Sequence, residues 1–339
     1  KIFTKTYILL PIIWVSVEYV RTFSILGFPW TSLANSQVHY NLLAQNVEFT
    51  GIYGISFWLV LLNVFIYDFY KNTDFKTALI LIIIFLFPWV SGYYLYSKQI
   101  INVKDGLDIV LVQPNISLAE KRSYHFFPDN IKKMVTLALA EINDDTELIL
   151  FPESALSSYM IEKGSYLRFI QRSILNQNMS LLSGLNYSKV YSGEKLNYNS
   201  LAHIDSNRIV DLYHKINLVP IAEYTPLSSI FPSLKSINIG QANFEPGRKH
   251  TIFDINNYKV AGLICYESTF PQLNRKFINN GAEILMYFVN DGWYETAPEP
   301  QQHAKQAIYR AIEFRRPVVR CANTGISTII NKKGEITNR

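Results

Sequence analysis

Three side chains in this sequence have the types that acyl-transfer chemistry needs, and each lies next to an apolar run typical of a β-strand. Glu153 follows the run LILF, Lys215 precedes the segment INLVP, and Cys265 ends the run VAGLIC. A carboxylate can take a proton, an ammonium group can stabilise an oxyanion, and a thiol can attack a carbonyl carbon. Together they predict covalent chemistry that passes through a thioester.

Each of these residues has a commoner structural explanation when it is taken alone. Glu153 could be an acid at a helix N-terminus, Lys215 could lay its stem along apolar surface, and Cys265 could be an inert core residue. The joint pattern favours chemistry, because a thiol of pKa ~8.5 reacts at neutral pH only beside a base or a cation. A carboxylate serves as that base when burial raises its affinity for protons. A cationic lysine stabilises the oxyanion, a type of contact worth ~3–4 kcal/mol in other acyl-transfer enzymes.

The first hundred residues predict membrane helices. Segments 49–70 and 77–97 carry a single charge between them, Asp68, and each has the roughly 20 apolar residues that cross a bilayer. Residues 6–25 are a third and weaker candidate. A buried core helix is the alternative explanation for such runs. We therefore expect a partial transmembrane domain over residues 1–100, preceded by further membrane sequence, with spans at about 6–25, 49–70 and 77–97.

The basic residues of the short loops predict an orientation. Lys1 and Lys5 precede the first span, and Lys71 and Lys76 lie between the second and third. Positively charged loops stay in the cytoplasm, so the span 77–97 would run outward. The remainder of the chain is then expected on the outer, periplasmic side of a bacterial cytoplasmic membrane.

From about residue 105 to 339 the sequence predicts an α/β domain. Short apolar runs alternate with amphipathic stretches, which is the pattern of layered helices and sheets. The predicted strands are 107–113, 147–151, 180–184, 199–205, 259–265, 283–289 and 326–331. The predicted helices are 128–143, 165–177, 269–280 and 301–315. A proline-rich region at about 220–250 reads as a long functional loop.

Charge and metal-ligand patterns exclude other classes of function. The net charge of +5 is scattered over the chain, so we expect no nucleic-acid partner and at most a mild attraction to anionic lipid. The six histidines show no paired metal-ligand spacing, and no metal or other cofactor is expected. Cys265 and Cys321 are the two cysteines; a disulfide between them stays open, but Cys265 is interpreted as a nucleophile. Nothing in the sequence requires more than a monomer.

The order PE, HK, CYE resembles the signature of the nitrilase superfamily of carbon–nitrogen hydrolases. Further segments resemble one membrane-embedded branch, the bacterial apolipoprotein N-acyltransferases. They are GFPW (27–30), LVPIAEYTPL (218–227), ICYE (264–267), NDGWY (290–294) and the segment 301–325. The resemblance covers nearly the whole chain, although the first and last membrane helices of the family are absent. It implies transmembrane helices followed by a four-layer αββα sandwich of the nitrilase type.

This resemblance implies a reaction, two substrates and a set of roles. Cys265 would take an acyl chain from a membrane phospholipid, and the amine of a diacylglyceryl-cysteine apolipoprotein would then accept it. Glu153 would be the base and Lys215 the stabiliser of the oxyanion. Glu223 matches a supporting glutamate, Tyr266 and Glu267 flank the nucleophile, and Trp293 matches a substrate-facing loop. We expect His303 and Arg310 to belong to a helix packed near the site.

Two alternatives remain open at this point. A membrane-tethered amidase would use Glu153, Lys215 and Cys265 with water as the acceptor, but such an enzyme has no evident need for membrane spans. An inactive membrane scaffold or binding protein would be expected to have lost at least one of these residues. Acyl transfer is therefore the favoured hypothesis.

Overall fold

The computed structural model describes residues 7–23, 27–98, 106–157, 164–226, 233, 243–293 and 298–338. The N-terminal part is helical and the remainder alternates strands and helices. The helices are α1 (Leu10–Val20), α2 (Asn41–Ala44), α3 (Val47–Asn72), α4 (Phe75–Ser97), α5 (Leu118–Arg122), α6 (Phe127–Glu141), α7 (Ser165–Ile174), α8 (Pro271–Asn279) and α9 (Glu299–Phe314). Single 3-10 turns occur at Pro29–Thr31, Leu33–Gln37, Tyr124–Phe126 and Cys265–Thr269.

Helices α3 and α4 are long and apolar enough to cross a membrane, with mean hydropathies of 1.9 and 2.1. They contain the predicted spans 49–70 and 77–97. The third predicted span, 6–25, corresponds in the described residues to an apolar helix over Tyr7–Val20, which is shorter than a bilayer requires. Residues 6, 24 and 25 of that span lie outside the described residues.

Helix α4 contains Pro88 and continues through it. A proline has no N–H, so the carbonyl of Ile84 one turn earlier loses its helical donor. The indole Nε1 of Trp58 in α3 donates to that carbonyl at 2.8 Å. Further along α4, Gly92 lies against α2 so closely that a Cβ would meet the carbonyl oxygen of Leu42 at 1.8 Å. These two contacts fix α4 against the neighbouring helices.

Two mixed sheets form the rest of the molecule. The first has the order β1-β2-β3-β4-β5 and the second β11-β10-β9-β8-β7-β6. The strands are β1 (Ile109–Leu111), β2 (Leu148–Ser157), β3 (Ser180–Tyr191), β4 (Glu194–Ile204), β5 (Ile209–His214), β6 (Phe253–Ile255), β7 (Tyr258–Ile264), β8 (Ile284–Val289), β9 (Val318–Ala322), β10 (Thr328–Ile330) and β11 (Ile336–Asn338). The pairs β1–β2, β2–β3, β7–β8 and β8–β9 are parallel.

The two sheets pack face to face, and helices cover their outer faces. Side chains of β2, β4 and β7–β9 form one core between the sheets, which continues under α8 and α9. Alternate side chains of β2, such as Ile149 and Phe151, point to a second core with α6 and α7. Because successive strand residues face opposite sides, one apolar run serves both cores. The predicted fold class is thus confirmed as two helices long and apolar enough to cross a membrane, followed by a four-layer αββα sandwich.

Strands β5, β6, β9 and β11 were not predicted from the sequence. The residues of β5 mix polar and apolar types (IVDLYH), and β9 contains a fully buried arginine, Arg320. Such strands lack the apolar run that marked the others. Strands β3 and β4 also extend beyond their predicted ends as a polar hairpin, pairing as far as Tyr191 with Glu194.

The helical segment packs directly on α9. The side chains of Tyr309 and Ile312 belong to a core otherwise built from α2, α3 and the turn that precedes them. Tyr309 Oη donates to the carbonyl of Ala34 at 2.5 Å, and Arg315 Nη2 pairs with Glu48 Oε2 at 2.6 Å. Apolar packing and buried polar contacts therefore join the predicted membrane helices to the α/β layers.

Candidate active site

Glu153, Lys215 and Cys265 come together at one edge of the sandwich. Glu153 lies in β2, Lys215 follows β5, and Cys265 follows β7 in the opposite sheet. Lys215 Nζ lies 4.0 Å from Glu153 Oε1. All three had been predicted as site residues, and packing of the two sheets brings them together.

A bulge in β2 positions Glu153. The pairing of β2 with β3 shifts register between Phe151 and Leu156, and Ser154 within this shift has a φ of +52°. On the facing strand β3, Gly184 leaves no room for a side chain, since a Cβ would lie 2.6 Å from the Glu153 Cα. The bulge turns the buried carboxylate toward Lys215.

Glu223 is the closest partner of Lys215. The ammonium lies 2.9 Å from Glu223 Oε1 and 2.8 Å from Oε2, and Oε2 also accepts from the backbone N–H of Val219. The predicted supporting glutamate therefore contacts the lysine. Lys215 is 1% exposed. Burial opposes its charge, but the carboxylates of Glu223 and Glu153 raise the pKa of Lys215 above its ordinary value, so it stays cationic.

Asn199 in β4 joins the two glutamates, and sequence reasoning missed it. Its Nδ2 donates to Glu153 Oε1 at 2.8 Å and to Glu223 Oε1 at 2.9 Å. Its backbone carbonyl accepts from the N–H of Lys215. Asn199 is fully buried, but the sequence of β4 mixes polar and apolar residues, so the one signal was an asparagine in a predicted strand, where this residue type is depleted.

The proton affinity of Glu153 is suited to a general base. Burial raises the pKa of Glu153 above its ordinary value, Lys215 opposes this, and Glu223 adds to it. Oε1 accepts from Asn199, whereas Oε2 is buried without a hydrogen-bond partner in the described part of the chain. An unpartnered, buried carboxylate oxygen is ready to take a proton.

Cys265 begins a 3-10 turn with a φ of +49°, a conformation that costs a non-glycine residue about 1–3 kcal/mol. Such strain persists where surrounding contacts hold it, and it is common at functional sites. The residue as a whole is partly exposed. Burial and the carboxylate of Glu153 raise its pKa, while Lys215 opposes them. The resting side chain is therefore a protonated thiol that needs a base.

Glu267 supports the turn rather than facing the thiol. Its Oε1 accepts from Tyr213 Oη and from the backbone N–H groups of Ile216 and Asn217, and its Oε2 accepts from the N–H of Ile264. One carboxylate thus ties the residue before the nucleophile to the segment after Lys215. Burial raises the pKa of Glu267, and Lys215 opposes the shift.

Tyr266 directly follows Cys265, whereas Trp293 lies in the segment after β8. Tyr266 is buried, and its Oη donates to the carbonyl of Gly27 at 2.6 Å. The turn Cys265–Thr269, called the nucleophile turn below after the predicted role of Cys265, is thereby connected to the GFPW segment between α1 and α2. Trp293 follows β8 and is 37% exposed. Residues 294–297 after it lie outside the described residues.

Several polar residues contact the site although the sequence analysis did not predict that they would. Lys121 Nζ donates to the carbonyl of Glu153 at 2.8 Å, and burial lowers its pKa to about 8 against the opposing charge of Glu153. Donor atoms of Cys265, Asp291 and His303 lie within 4.8 Å of one another. Asp291 is paired with the buried Arg320 at 2.5 Å, so its charge is already compensated. His303 was expected on a helix near the site, and α9 places it there.

The raised pKa of Glu153 predicts the pH dependence of the site. The base must be ionised to take the thiol proton, so activity is expected to fall as the pH falls through a pKa above the ordinary 4.5 of a glutamate. Glu153→Gln removes the base and should lower kcat ~10²–10⁴-fold. The measurement is kcat/KM against pH for the wild type and the variant. Loss of activity only below pH ~4.3, the value of an unperturbed glutamate, would contradict the assignment.

With this geometry in view, comparison with known families assigns the α/β part. Residues 111–339 match the family model described as "Carbon-nitrogen hydrolase". The chain belongs to the carbon–nitrogen hydrolase family. Residues 1–65 match a second model, described as "Apolipoprotein N-acyltransferase N-terminal domain". The resemblance to apolipoprotein N-acyltransferases that the sequence indicated is therefore confirmed, since one model matches the helical part of the chain and the other the α/β part.

Similar proteins and structures agree with this placement. A Geobacter metallireducens protein named apolipoprotein N-acyltransferase is 29% identical over 96% of this chain, and the chain spans 64% of that protein's length. One of the same name from Rickettsia prowazekii is 30% identical, with 97% of this chain and 66% of that protein covered. A carbon–nitrogen hydrolase from Helicobacter pylori G27 shares the fold, with a TM-score of 0.50 and 18% identity, over 68% of this chain and 83% of its own.

Proposed function

We propose that the protein transfers an acyl chain from a membrane phospholipid to the N-terminal amine of diacylglyceryl-cysteine apolipoproteins. The observation that carries the proposal is that a cluster of catalytic type and a pair of long apolar helices are joined in one molecule. A buried Glu153–Lys215–Glu223 cluster adjoins a thiol, and the turn bearing that thiol is hydrogen-bonded to the segment between apolar helices. The similarity to apolipoprotein N-acyltransferases supports the same substrates.

In the first half-reaction the phospholipid ester would be cleaved. Glu153 Oε2 takes the proton of the Cys265 thiol as Sγ attacks the ester carbonyl. Lys215, kept cationic by its two carboxylate neighbours, stabilises the oxyanion. When the intermediate collapses, the C–O bond breaks and Glu153 returns the proton to the leaving alkoxide. The products are a thioester on Cys265 and a lysophospholipid.

In the second half-reaction the amine of the apolipoprotein would attack the thioester. Glu153 takes a proton from the attacking amine, and Lys215 again stabilises the oxyanion. Collapse breaks the C–S bond, the proton returns to sulfur, and an amide is released. The free enzyme is then regenerated, and no cofactor is consumed. The hydrogen bonds of Glu223 and Asn199 would hold the side chains of Lys215 and Glu153 in position during both steps.

We propose that residues 1–100 form part of a membrane domain and residues 105–339 the catalytic domain. Helices α3 and α4 would cross the bacterial cytoplasmic membrane, and the loop with Lys71 and Lys76 would face the cytoplasm. The site then faces the outer side, where Trp293 would meet substrate and Tyr266 would hold the nucleophile turn against the helices. A monomer contains every residue that the proposal uses.

The function is tested by following the acceptor. The full-length protein in phospholipid micelles is given a diacylglyceryl-cysteine peptide, and the peptide is examined by mass spectrometry. We expect one additional acyl chain on the α-amine, and the peptide with an acetylated amine serves as the control that cannot react. Release of free fatty acid at the same rate with and without peptide would instead favour an amidase-like hydrolase. No reaction in folded protein would favour a scaffold.

A further inference from the structure

A second group of buried side chains contacts the nucleophile turn from α9. His303 is buried, and its Nε2 lies 3.1 Å from the backbone carbonyl oxygen of Cys265 and 3.0 Å from Ser268 Oγ. Ser268 Oγ also donates to the same carbonyl at 2.8 Å. The carbonyl of Cys265 is thus held by two side chains that the proposed acyl-transfer steps do not use.

The hydrogen bonds of Ser268 place a hydrogen on Nε2 of His303. Ser268 has one hydroxyl proton, and it is directed to the Cys265 carbonyl. The serine oxygen can then only accept from the imidazole, so Nε2 carries the hydrogen. That N–H also faces the Cys265 carbonyl. His303 and Ser268 therefore act together as a pair of donors on one carbonyl oxygen.

The other side of the imidazole is fixed as well. Nδ1 lies 2.8 Å from Asp291 Oδ1 and 3.3 Å from Arg320 Nη2, and this guanidinium nitrogen pairs with Asp291 Oδ2 at 2.5 Å. Asp291 and Arg320 are both buried. The ring is held between β8, β9 and the nucleophile turn, so its rotation is restricted.

The Cys265 carbonyl matters because of the backbone around it. Cys265 has a φ of +49°, a conformation that neighbouring contacts must maintain. The peptide that follows is planar and trans, so the direction of its carbonyl also sets the direction of the Tyr266 N–H on the opposite edge. Holding this carbonyl therefore fixes both the strained residue that carries Sγ and the peptide plane beside it.

We propose that His303 is a positioning residue for the nucleophile, holding the Cys265 carbonyl together with Ser268 so that the thiol meets its acyl donor in a reactive geometry. The inference rests on the proposed function, since it concerns the rate at which Cys265 is acylated. Asp291 and Arg320 support this role by restricting the rotation of the His303 imidazole ring. Because misplacement of a reacting group by ~1 Å can cost ~10²-fold in rate, loss of the contact should slow acylation by about that factor.

Two conservative variants separate this role from simple packing. In His303→Gln, the amide nitrogen stands where Nε2 was and can still donate to Ser268 and the Cys265 carbonyl. In His303→Asn, the shorter side chain can reach only the Asp291 side. We expect His303→Gln to be acylated within ~10-fold of the wild-type rate and His303→Asn to be slowed ~10²-fold. His203→Leu is the matched control, because it removes a buried histidine–serine contact in β4 with Ser180.

The measurement is the rate of acyl-enzyme formation by the full-length protein in phospholipid micelles, followed by intact mass. Rates are compared at a temperature well below the melting temperature of each variant. Equal rates for His303→Gln and His303→Asn, or slowing by His203→Leu as large as by His303→Asn, would overturn the inference. A wild-type protein that forms no acyl-enzyme would instead refute the proposed function, so the two failures are distinguishable.

Discussion

Replacing Cys265 by alanine is expected to abolish acyl transfer while leaving the fold intact. The residue is partly exposed and lies at the edge of the core, so loss of its thiol leaves little cavity. The proposed chemistry has no other nucleophile, and removal of a nucleophile that acts as one unit with its base costs ~10⁶-fold in a well-studied protease. We expect no acylated peptide above background and a melting temperature close to that of the wild type.

Cys321 supplies the matched control for this experiment. It is fully buried in β9, its Sγ contacts the carbonyls of Val112 and Leu150, and burial raises its pKa to about 12. Cys321→Ala should therefore keep its activity and lose a small amount of stability through the cavity that it leaves. Wild-type turnover by Cys265→Ala, or loss of acylation in a folded Cys321→Ala, would contradict the assignment.

Replacing Lys215 by methionine is expected to lower stability as well as activity. The ammonium pairs with Glu223 and lies near Glu153, and all three side chains are buried. Breaking a buried pair by removing one partner typically costs ~3–5 kcal/mol, because the remaining charge is uncompensated. In Lys215→Met two carboxylates share Asn199 without the ammonium that paired with Glu223. We expect a free energy of unfolding lower by about this amount and no acyl transfer.

This variant should also strengthen the pH dependence of stability that comes from Glu153. Without Lys215, the main charge that opposes the effect of burial on Glu153 is gone, so the pKa of Glu153 lies further above its value in the unfolded chain. The folded variant then binds more protons than the unfolded chain, so its stability rises as the pH falls from neutral toward ~4.3. Urea unfolding at several pH values measures this. Wild-type stability at neutral pH, or stability independent of pH over this range, would be incompatible with the pairing.

A double variant separates the effect of Lys215 on stability from its effect on acyl transfer. Lys215→Met with Glu223→Gln leaves one carboxylate in place of two, so part of the lost stability should return. Acyl transfer should not return, since the oxyanion still lacks its cation. A double variant as unstable as Lys215→Met would show that repulsion between the two carboxylates is not the source of the lost stability.

The sequence was sufficient to predict the parts of the site that follow apolar runs. Glu153 follows the apolar run LILF inside β2, Cys265 comes directly after β7, and Lys215 lies between polar and apolar segments, so local sequence patterns mark all three positions. The long helices α3 and α4 were predicted to within a few residues for the same reason. Such predictions use local periodicity, which one chain contains in full.

Other parts depend on contacts between distant segments. Asn199 acts only because β4 places it between Glu153 and Glu223, which are 46 residues before and 24 residues after it in the chain. His303 reaches the nucleophile turn across 38 residues. Pro88 is tolerated because Trp58 of a neighbouring helix replaces its missing donor. No local pattern records these partners, so tertiary structure was needed to find them.

The most direct test of the account is the covalent intermediate itself. Full-length protein is incubated in phospholipid micelles, its intact mass is measured, and the modified peptide is sequenced before and after addition of diacylglyceryl-cysteine peptide. We expect one fatty acyl chain on Cys265, labile to hydroxylamine as a thioester, and rapid loss of that adduct only when the amine acceptor is added. Folded, active protein whose Cys265 carries no acyl chain at any stage of turnover would contradict it.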